Sequence, residues 1–143
     1  MLGTEPQLEQ SYVKSGQVKL VFNPMIDLGQ GSRQAHMAAT CAGEQGMFWP
    51  MHDLLFKHQN ALYGSDVAQV SKDLAAQLPL DAAQFNTCID EEHTADLVQS
   101  QDDRRRQLGI RARPTFDVNG QLIVGGQPFE VFQTAIESLL EPK

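Results

Sequence analysis

The chain has 143 residues, 41% of them hydrophobic, a formal net charge of −7 and only two cysteines. That length suits one domain whose core needs neither a metal nor a mesh of disulfides. The acidic balance argues against non-specific binding to nucleic acid or an anionic membrane, and no stretch nears the roughly 18 apolar residues of a membrane span.

The opening run Met1-Leu2-Gly3-Thr4-Glu5-Pro6 has neither the basic start nor the apolar core of a signal peptide. If Met1 is the native start, the chain stays in the cytosol. Thr4 is placed to cap a short helix, with Glu5 and Pro6 in its first turn and Gly16 past its end. Leu8 and Tyr12 share one face of it. Residues 17–23 form a predicted strand: Val18, Leu20 and Phe22 alternate with Gln17, Lys19 and Val21, and Pro24 closes it. A glycine-rich loop over 25–32 follows.

Helical periodicity then dominates. Ser32 is the expected cap of a helix through Ala35, Ala38, Ala39 and Cys41, and Gly43 and Gly46 interrupt it. A second helix starts near Met47, with Pro50 tolerated in its first turn and Phe48, Met51, Leu54, Leu55 and Leu62 on its apolar face. Ser65 is placed to cap a third through Val67, Val70, Leu74 and Leu78, which Pro79 ends. Asp81 with Gln84 is a capping-box pair opening a fourth through Phe85, Cys88 and Ile89. A fifth runs over 92–107 and stops at Gly109. Arg104-Arg105-Arg106, preceded by Asp102 and Asp103, reads as a solvated helix face.

The last part is the sharpest. Arg113-Pro114 precedes a strand over 115–118, Asn119-Gly120 is a type I′ hairpin signal, and a second strand covers 121–124. After Gly125-Gly126, Pro128 opens a helix carrying Phe129, Phe132, Ile136, Leu139 and Leu140. The Arg113-Pro114 bond is open between cis and trans on sequence alone. Helices packed on a small sheet give a two-layer α/β class. His36, His52, His58 and His93 lack metal-ligand spacing, and Phe48 and Trp49 read as core. No phosphate loop, nucleotide fingerprint or nucleophile elbow is present, so no cofactor and no metal is expected.

The run from Cys41-Ala42-Gly43-Glu44-Gln45-Gly46 through Phe48-Trp49, Met51-His52-Asp53 and Leu55-Phe56 resembles the helical insert of DsbA-like thiol–disulfide oxidoreductases. Phe85-Asn86-Thr87-Cys88-Ile89-Asp90 is similar to a second insert segment of that family. The stretch from Gly109 to Phe116 resembles its cis-proline loop, and Val118-Asn119-Gly120 with Val124-Gly125 its hairpin. Pro6-Gln7-Leu8 through Phe22 resembles the back half of its first helix and the strand after it. The resemblance implies one thioredoxin-like domain over 1–143. It has a remnant of the first half over 1–24, a four- to five-helix insert over 25–108, and the proline loop, hairpin and helix over 109–143. Family relatives are mostly exported.

In the family a first strand and a Cys-x-x-Cys precede the segment matching Pro6-Gln7-Leu8. Here only five residues do, and the chain holds no Cys-x-x-Cys. The chemistry needs a low-pKa thiolate to attack and a second thiol to resolve the mixed disulfide. The expectation is therefore an N-terminally truncated relative with no catalytic residues. It acts as a binding or interaction module through Arg113, Pro114 and Thr115. The alternatives are a thiol–disulfide oxidoreductase whose Cys-x-x-Cys lies outside this chain, and a kappa-class glutathione transferase-like enzyme. Arg113 departs from the small or β-branched residue often found before the proline.

Some relatives link the positions of Cys41 and Cys88, 47 positions apart, by a structural disulfide. Two buried reduced cysteines are the other state. The absent first strand would lie in the middle of the sheet, and an unpaired buried backbone group costs about 1–3 kcal/mol. Three outcomes are open: residues 17–23 move over to pair with 115–118, a second copy closes the gap, or the chain is a fragment that folds poorly. A homodimer that completes the sheet is expected, with a peptide or protein at the proline edge as a further partner.

Overall fold

The computed structural model describes residues 3–140; Met1 and Leu2, to which the reading of the chain start applies, lie outside them. Asn119 and Gly120 adopt φ of 49° and 97°, so two residues reverse the chain. Strand β1 (Thr115–Val118) thereby pairs antiparallel with β2 (Gln121–Val124), in the register Thr115↔Val124, Phe116↔Ile123, Asp117↔Leu122 and Val118↔Gln121. Asp117 Oδ1 accepts from the Gly120 N–H at 2.6 Å and fixes the turn.

The chain divides into two compact units, residues 1–22 with 106–143, and residues 23–105. In the first, helix α1 (Glu5–Leu8) runs directly into a π-helical turn (Glu9–Val13). Leu8 and Tyr12 bury against Ile123 of β2 and against Phe132, Ala135 and Ile136. Those last three lie on the terminal helix, which follows Pro128. Phe116 meets Phe132 edge-on, with ring centroids 4.7 Å apart. The Tyr12 hydroxyl donates to Glu137 at 3.0 Å. Thr4 precedes α1, but its hydroxyl donates to the Gln127 carbonyl at 3.2 Å rather than capping the helix.

Residues 17–23 are not a strand. They form no regular element, yet their burial alternates as expected: Val18, Leu20 and Phe22 are half-buried while Gln17, Lys19 and Val21 are exposed. A strand also needs a ladder. Among the described residues the sheet has two strands, so it is antiparallel rather than mixed, and residues 17–23 do not join it. The start of the segment is held elsewhere, because the Gln17 and Val18 N–H groups both donate to the Tyr12 carbonyl at 3.1 and 3.2 Å.

The second unit is helical. Helices α2 (Gln30–Gly43), α3 (Phe48–Lys57), α4 (Gln59–Leu62), α5 (Val67–Ala75) and α6 (Ala82–Asp90) come first in chain order. Helix α7 (Ala95–Gln107) begins in this unit, and α8 (Phe129–Leu140) belongs to the first. Ala38, Ala39 and Ala42 give α2 a small-residue face that packs with Met51, Leu55, Leu74, Phe85 and Ile89 in one buried cluster. The Cys41–Gly46 motif has local reasons. A Cβ at Gly43 would sit 3.3 Å from Phe48. Gln45 grips the start of α6 twice, accepting from the Asp81 N–H at 2.6 Å and donating to the Asp81 carbonyl at 3.2 Å.

Several expected boundaries move. Gly29, not Ser32, precedes α2, and the Ser32 hydroxyl donates back to the Met25 carbonyl. Asp66, not Ser65, caps α5, through a bond from the Gln69 N–H. Helix α5 stops at Ala75, short of Leu78, and Leu62 lies on α4 rather than on α3. Helix α7 starts at Ala95, after Glu92 takes a left-handed φ of 51°. Asp81 caps α6 as expected, and Gly109 ends α7 with φ 73°.

The largest departure is the charged run. Arg104 and Arg106 are exposed, but Arg105 and Asp102 are buried. The Arg105 Nε donates to Asp102 at 2.7 Å, its Nη2 pairs with Asp27, and Asp102 also accepts the Ile26 N–H at 3.2 Å. One guanidinium thus pins the segment before α2 to α7. Replacing Arg105 by Met would leave Asp102 buried without its counter-charge, and breaking such a pair costs about 3–5 kcal/mol. Urea unfolding of Arg105→Met is expected to show a loss of that size, against a change under about 1 kcal/mol for the exposed Arg104→Met.

His36, on α2, supplies a pH dependence. Burial pushes its imidazole below the usual 6.5; a bond to the Met25 backbone opposes the shift, the charge of His52 adds to it, and Asp102 opposes it. The folded chain then binds fewer protons than the unfolded chain below that pH, so this component of stability is complete above it and is lost on acidification. Urea titrations at about pH 7 and about pH 5 are expected to show a larger loss for the parent than for His36→Gln.

Candidate functional site

The proline loop sits at the start of β1, in the first unit. The Arg113–Pro114 peptide bond is cis. The Pro114 carbonyl accepts from the Gly125 N–H at 2.8 Å, which extends the hairpin ladder one step past Thr115 and Val124. The Thr115 hydroxyl donates to the Ala112 carbonyl at 2.7 Å and closes the loop on itself. Arg113 is exposed, while Pro114 and Thr115 are half-buried.

The register decides what the edge of β1 offers. Residues facing each other in an antiparallel pair alternate between those that exchange hydrogen bonds and those that do not. After a two-residue turn, Val118 with Gln121 and Phe116 with Ile123 exchange them. The N–H and C=O groups of Thr115 and Asp117 therefore point away from β2, toward the open side. Phe116 and Val118 pack with the unit's core yet stay half-buried beside that side. The site is a short ledge of main-chain donors and acceptors with an apolar underside, a cation at Arg113 and an anion at Asp117.

Cys41 and Cys88 are joined by a disulfide with an S–S distance of 2.02 Å. Both are almost fully buried, in the second unit, and link α2 to α6. The Thr94 hydroxyl lies 3.7 Å from Cys41 Sγ. These are both cysteines of the chain, so it presents no free thiol. The histidines do not converge: among the described residues no three His, Cys, Asp or Glu side chains are grouped to hold a metal. His52 is buried among Phe48, Trp49 and Phe56. Phe48 packs on the core as expected, whereas Trp49 is 36% exposed at its rim. No described helix is long and apolar enough to cross a membrane. Sequence reasoning passed over Asp117 as part of the edge. The signal was present: a residue two before the Asn119-Gly120 turn must direct its main chain outward.

A family model described as thioredoxin matches residues 2–138. The crystal structure of oxidised BdbD from Bacillus subtilis superposes with a TM-score of 0.84 and 26% identity, over 94% of this chain and 75% of that one. Disulfide bond formation protein D of Bacillus subtilis (strain 168) is 25% identical over 145 residues, covering 96% of this chain and 64% of its own length. The Na(+)/H(+) antiporter NhaA 3 of Salinispora tropica is 31% identical over 136 residues, covering 94% of this chain and 20% of the antiporter. The chain thus spans a fifth of the antiporter relative and just under two thirds of the disulfide-forming one.

The disulfide is checked by removal. Cys41→Ala with Cys88→Ala is expected to lower unfolding free energy by about 2–4 kcal/mol, the usual worth of a cross-link closing a long loop. Thiol titration of the denatured, unreduced parent is expected to count no free thiol.

Proposed function

The chain belongs to the thioredoxin family, as a DsbA-like member, and from that premise we propose that it binds an extended polypeptide at the Arg113-Pro114-Thr115 edge and performs no dithiol chemistry of its own. One observation carries the reading: both cysteines are locked in a buried disulfide on helices, while among the described residues the strand behind the proline loop keeps an open edge. A nucleophilic thiolate needs an electropositive, accessible setting, commonly a helix N-terminus. Cys41 and Cys88 have neither the setting nor the access.

The edge suits strand addition. A guest strand bonds the outward groups of Thr115 and Asp117, and its alternate side chains cover Phe116 and Val118. Main-chain bonds give affinity without sequence preference; Arg113 and Asp117 add a charge pattern that a guest must match. A buried disulfide also fits an oxidising compartment, because cytosolic thiols are kept reduced.

A second reading has a specific observation behind it. The relatives named for disulfide bond formation are longer than this chain, which covers 64% of the Bacillus subtilis protein. Under that reading the Cys-x-x-Cys lies on a segment outside the given sequence, and this chain positions the substrate for it. An in-frame Cys-x-x-Cys in the coding sequence upstream would favour that reading.

The test of the first reading uses a fluorescein-labelled, reduced and alkylated insulin B chain as probe. The parent is expected to raise its anisotropy in a saturable way. Thr115→Pro removes one outward N–H, together with the hydroxyl bond to Ala112, without touching the ladder to β2, and is expected to weaken binding by about tenfold or more, roughly 1.4 kcal/mol per tenfold. Insulin reduction with dithiothreitol is expected to run at the buffer rate. Turnover above buffer, or no binding of the probe, would overturn the proposal.

A further inference from the structure

Charge is divided unevenly between the two units. Residues 23–105 hold twelve Asp and Glu against five Lys and Arg, whereas residues 1–22 with 106–143 hold six of each. The net charge of −7 therefore belongs to the second unit, and the unit that carries the proline loop is neutral. Within that unit the charges are sorted by position. Glu5 and Glu9 lie on the first helical segments, and Glu130 and Glu137 on α8. From Arg106 to Phe116 the sequence has three arginines and no acid.

The loop brings two of those arginines to the ledge. Arg111 and Arg113 flank Ala112, whose carbonyl accepts from the Thr115 hydroxyl at 2.7 Å. Both are exposed, and Arg111 enters no ion pair among the described residues. Asp117 stands two residues further along β1, about 7 Å from Thr115 at the usual strand rise. One of its oxygens is already taken by the Gly120 N–H at 2.6 Å. That separation is close to the Debye length of about 8 Å at physiological salt. A guest thus meets cations at one end of the ledge and an anion at the other.

We infer that the guest strand is acidic: it sets Asp or Glu side chains against Arg111 and Arg113 at the Thr115 end, and no acid against Asp117. This rests on the strand-addition reading above and names the class of polypeptide that it takes. Charge complementarity selects that class. A guanidinium keeps its charge at every working pH and presents a fork of N–H donors that fits a carboxylate. Two such forks flank a single residue, so carboxylates two apart on one face of a guest strand can meet both. A lysine placed there would face two like charges, and an uncharged side chain would leave both forks to water. Main-chain bonding holds the guest's acids in place, because a slip of one residue turns every side chain to the other face.

The field of the whole chain points the other way. A net charge of −7 draws in cations and holds off anions at long range. A preference for acid must therefore come from the arginines at the ledge.

The experiment is fluorescence anisotropy of labelled decapeptides of alternating Thr and Val, titrated with the full chain. One peptide is uncharged. The others carry two Glu or two Lys in place of neighbouring threonines, at either the first or the last end. In low salt the better placed Glu peptide is expected to bind about tenfold more tightly than the Lys peptide of the same placement, with the uncharged peptide between them. The gap is expected to close toward 1 M salt, where the Debye length is about 3 Å. Arg111→Glu is expected to lower the Glu-to-Lys affinity ratio by about tenfold. Equal affinities, tighter binding of the Lys peptide, a gap that salt does not close, or an Arg111→Glu variant with the parent's ratio would overturn the inference; the uncharged peptide, by binding, would still support strand addition. If none of the peptides binds, strand addition falls and this inference with it.

Discussion

The constraint on which the first unit depends is that every backbone N–H and C=O needs a partner. The hairpin meets it on one side of each strand. Phe116 and Val118 of β1 bond to Ile123 and Gln121 of β2, and Thr115, Asp117, Leu122 and Val124 are left facing outward. Everything distinctive about this unit follows from that half-satisfied ladder. Residues 17–23 have the alternation of a strand and the half-buried face of one, but among the described residues they join no ladder. Of their apolar residues, Val18 packs against the unit's core.

The second unit solves a different problem. Helices satisfy their own backbones, so what must be fixed is how they pack. Small residues on α2 let neighbouring helices approach closely, and the Cys41–Cys88 bond then holds α2 to α6. Polar contacts act where apolar ones cannot. The Arg105 guanidinium ties Asp102 of α7 to Asp27, and the Gln45 amide holds the first residue of the α6 cap. Each is a bond between segments far apart in sequence, so each removes a way for the unit to loosen.

Much of this was legible in the sequence where the cause is local. Asn119-Gly120, the Asp81 cap and the Gly109 stop depend on a few neighbouring residues, and they stand where the residues put them. Cap placement failed where two candidates stood side by side: Ser65 and Asp66 differ by one position, and only the backbone angle chooses between them. Non-local causes were out of reach. The strand expected at 17–23 is a statement about a partner, and alternation carries no information about whether one exists. Arg105 looked like a surface residue because its neighbours Arg104 and Arg106 are surface residues; its burial comes from Asp27, 78 positions away. The pairing of Cys41 with Cys88 was implied by family resemblance, since spacing alone does not pair cysteines. The edge at Thr115 was legible in part: the proline and the turn mark where it is, and the hairpin register shows that Asp117 belongs to it.

Two uses of cysteine are separated in this chain by physics rather than by number. A redox pair must be reachable by a substrate sulfur and must hold a thiolate at low cost. A structural pair is most useful where nothing reaches it. Cys41 and Cys88 lie inside helices at almost zero exposure, packed with Phe85, Met51 and Leu74. No rotation of a side chain brings either sulfur to solvent without opening the core. The proline edge carries the opposite character: exposed cation, outward main chain, half-covered apolar floor. On the proposed reading, a surface that offers bonds but no nucleophile is suited to holding a polypeptide. Thiol exchange at that edge would therefore need its sulfur from a segment other than those described here, delivered to the ledge that Thr115 and Asp117 form.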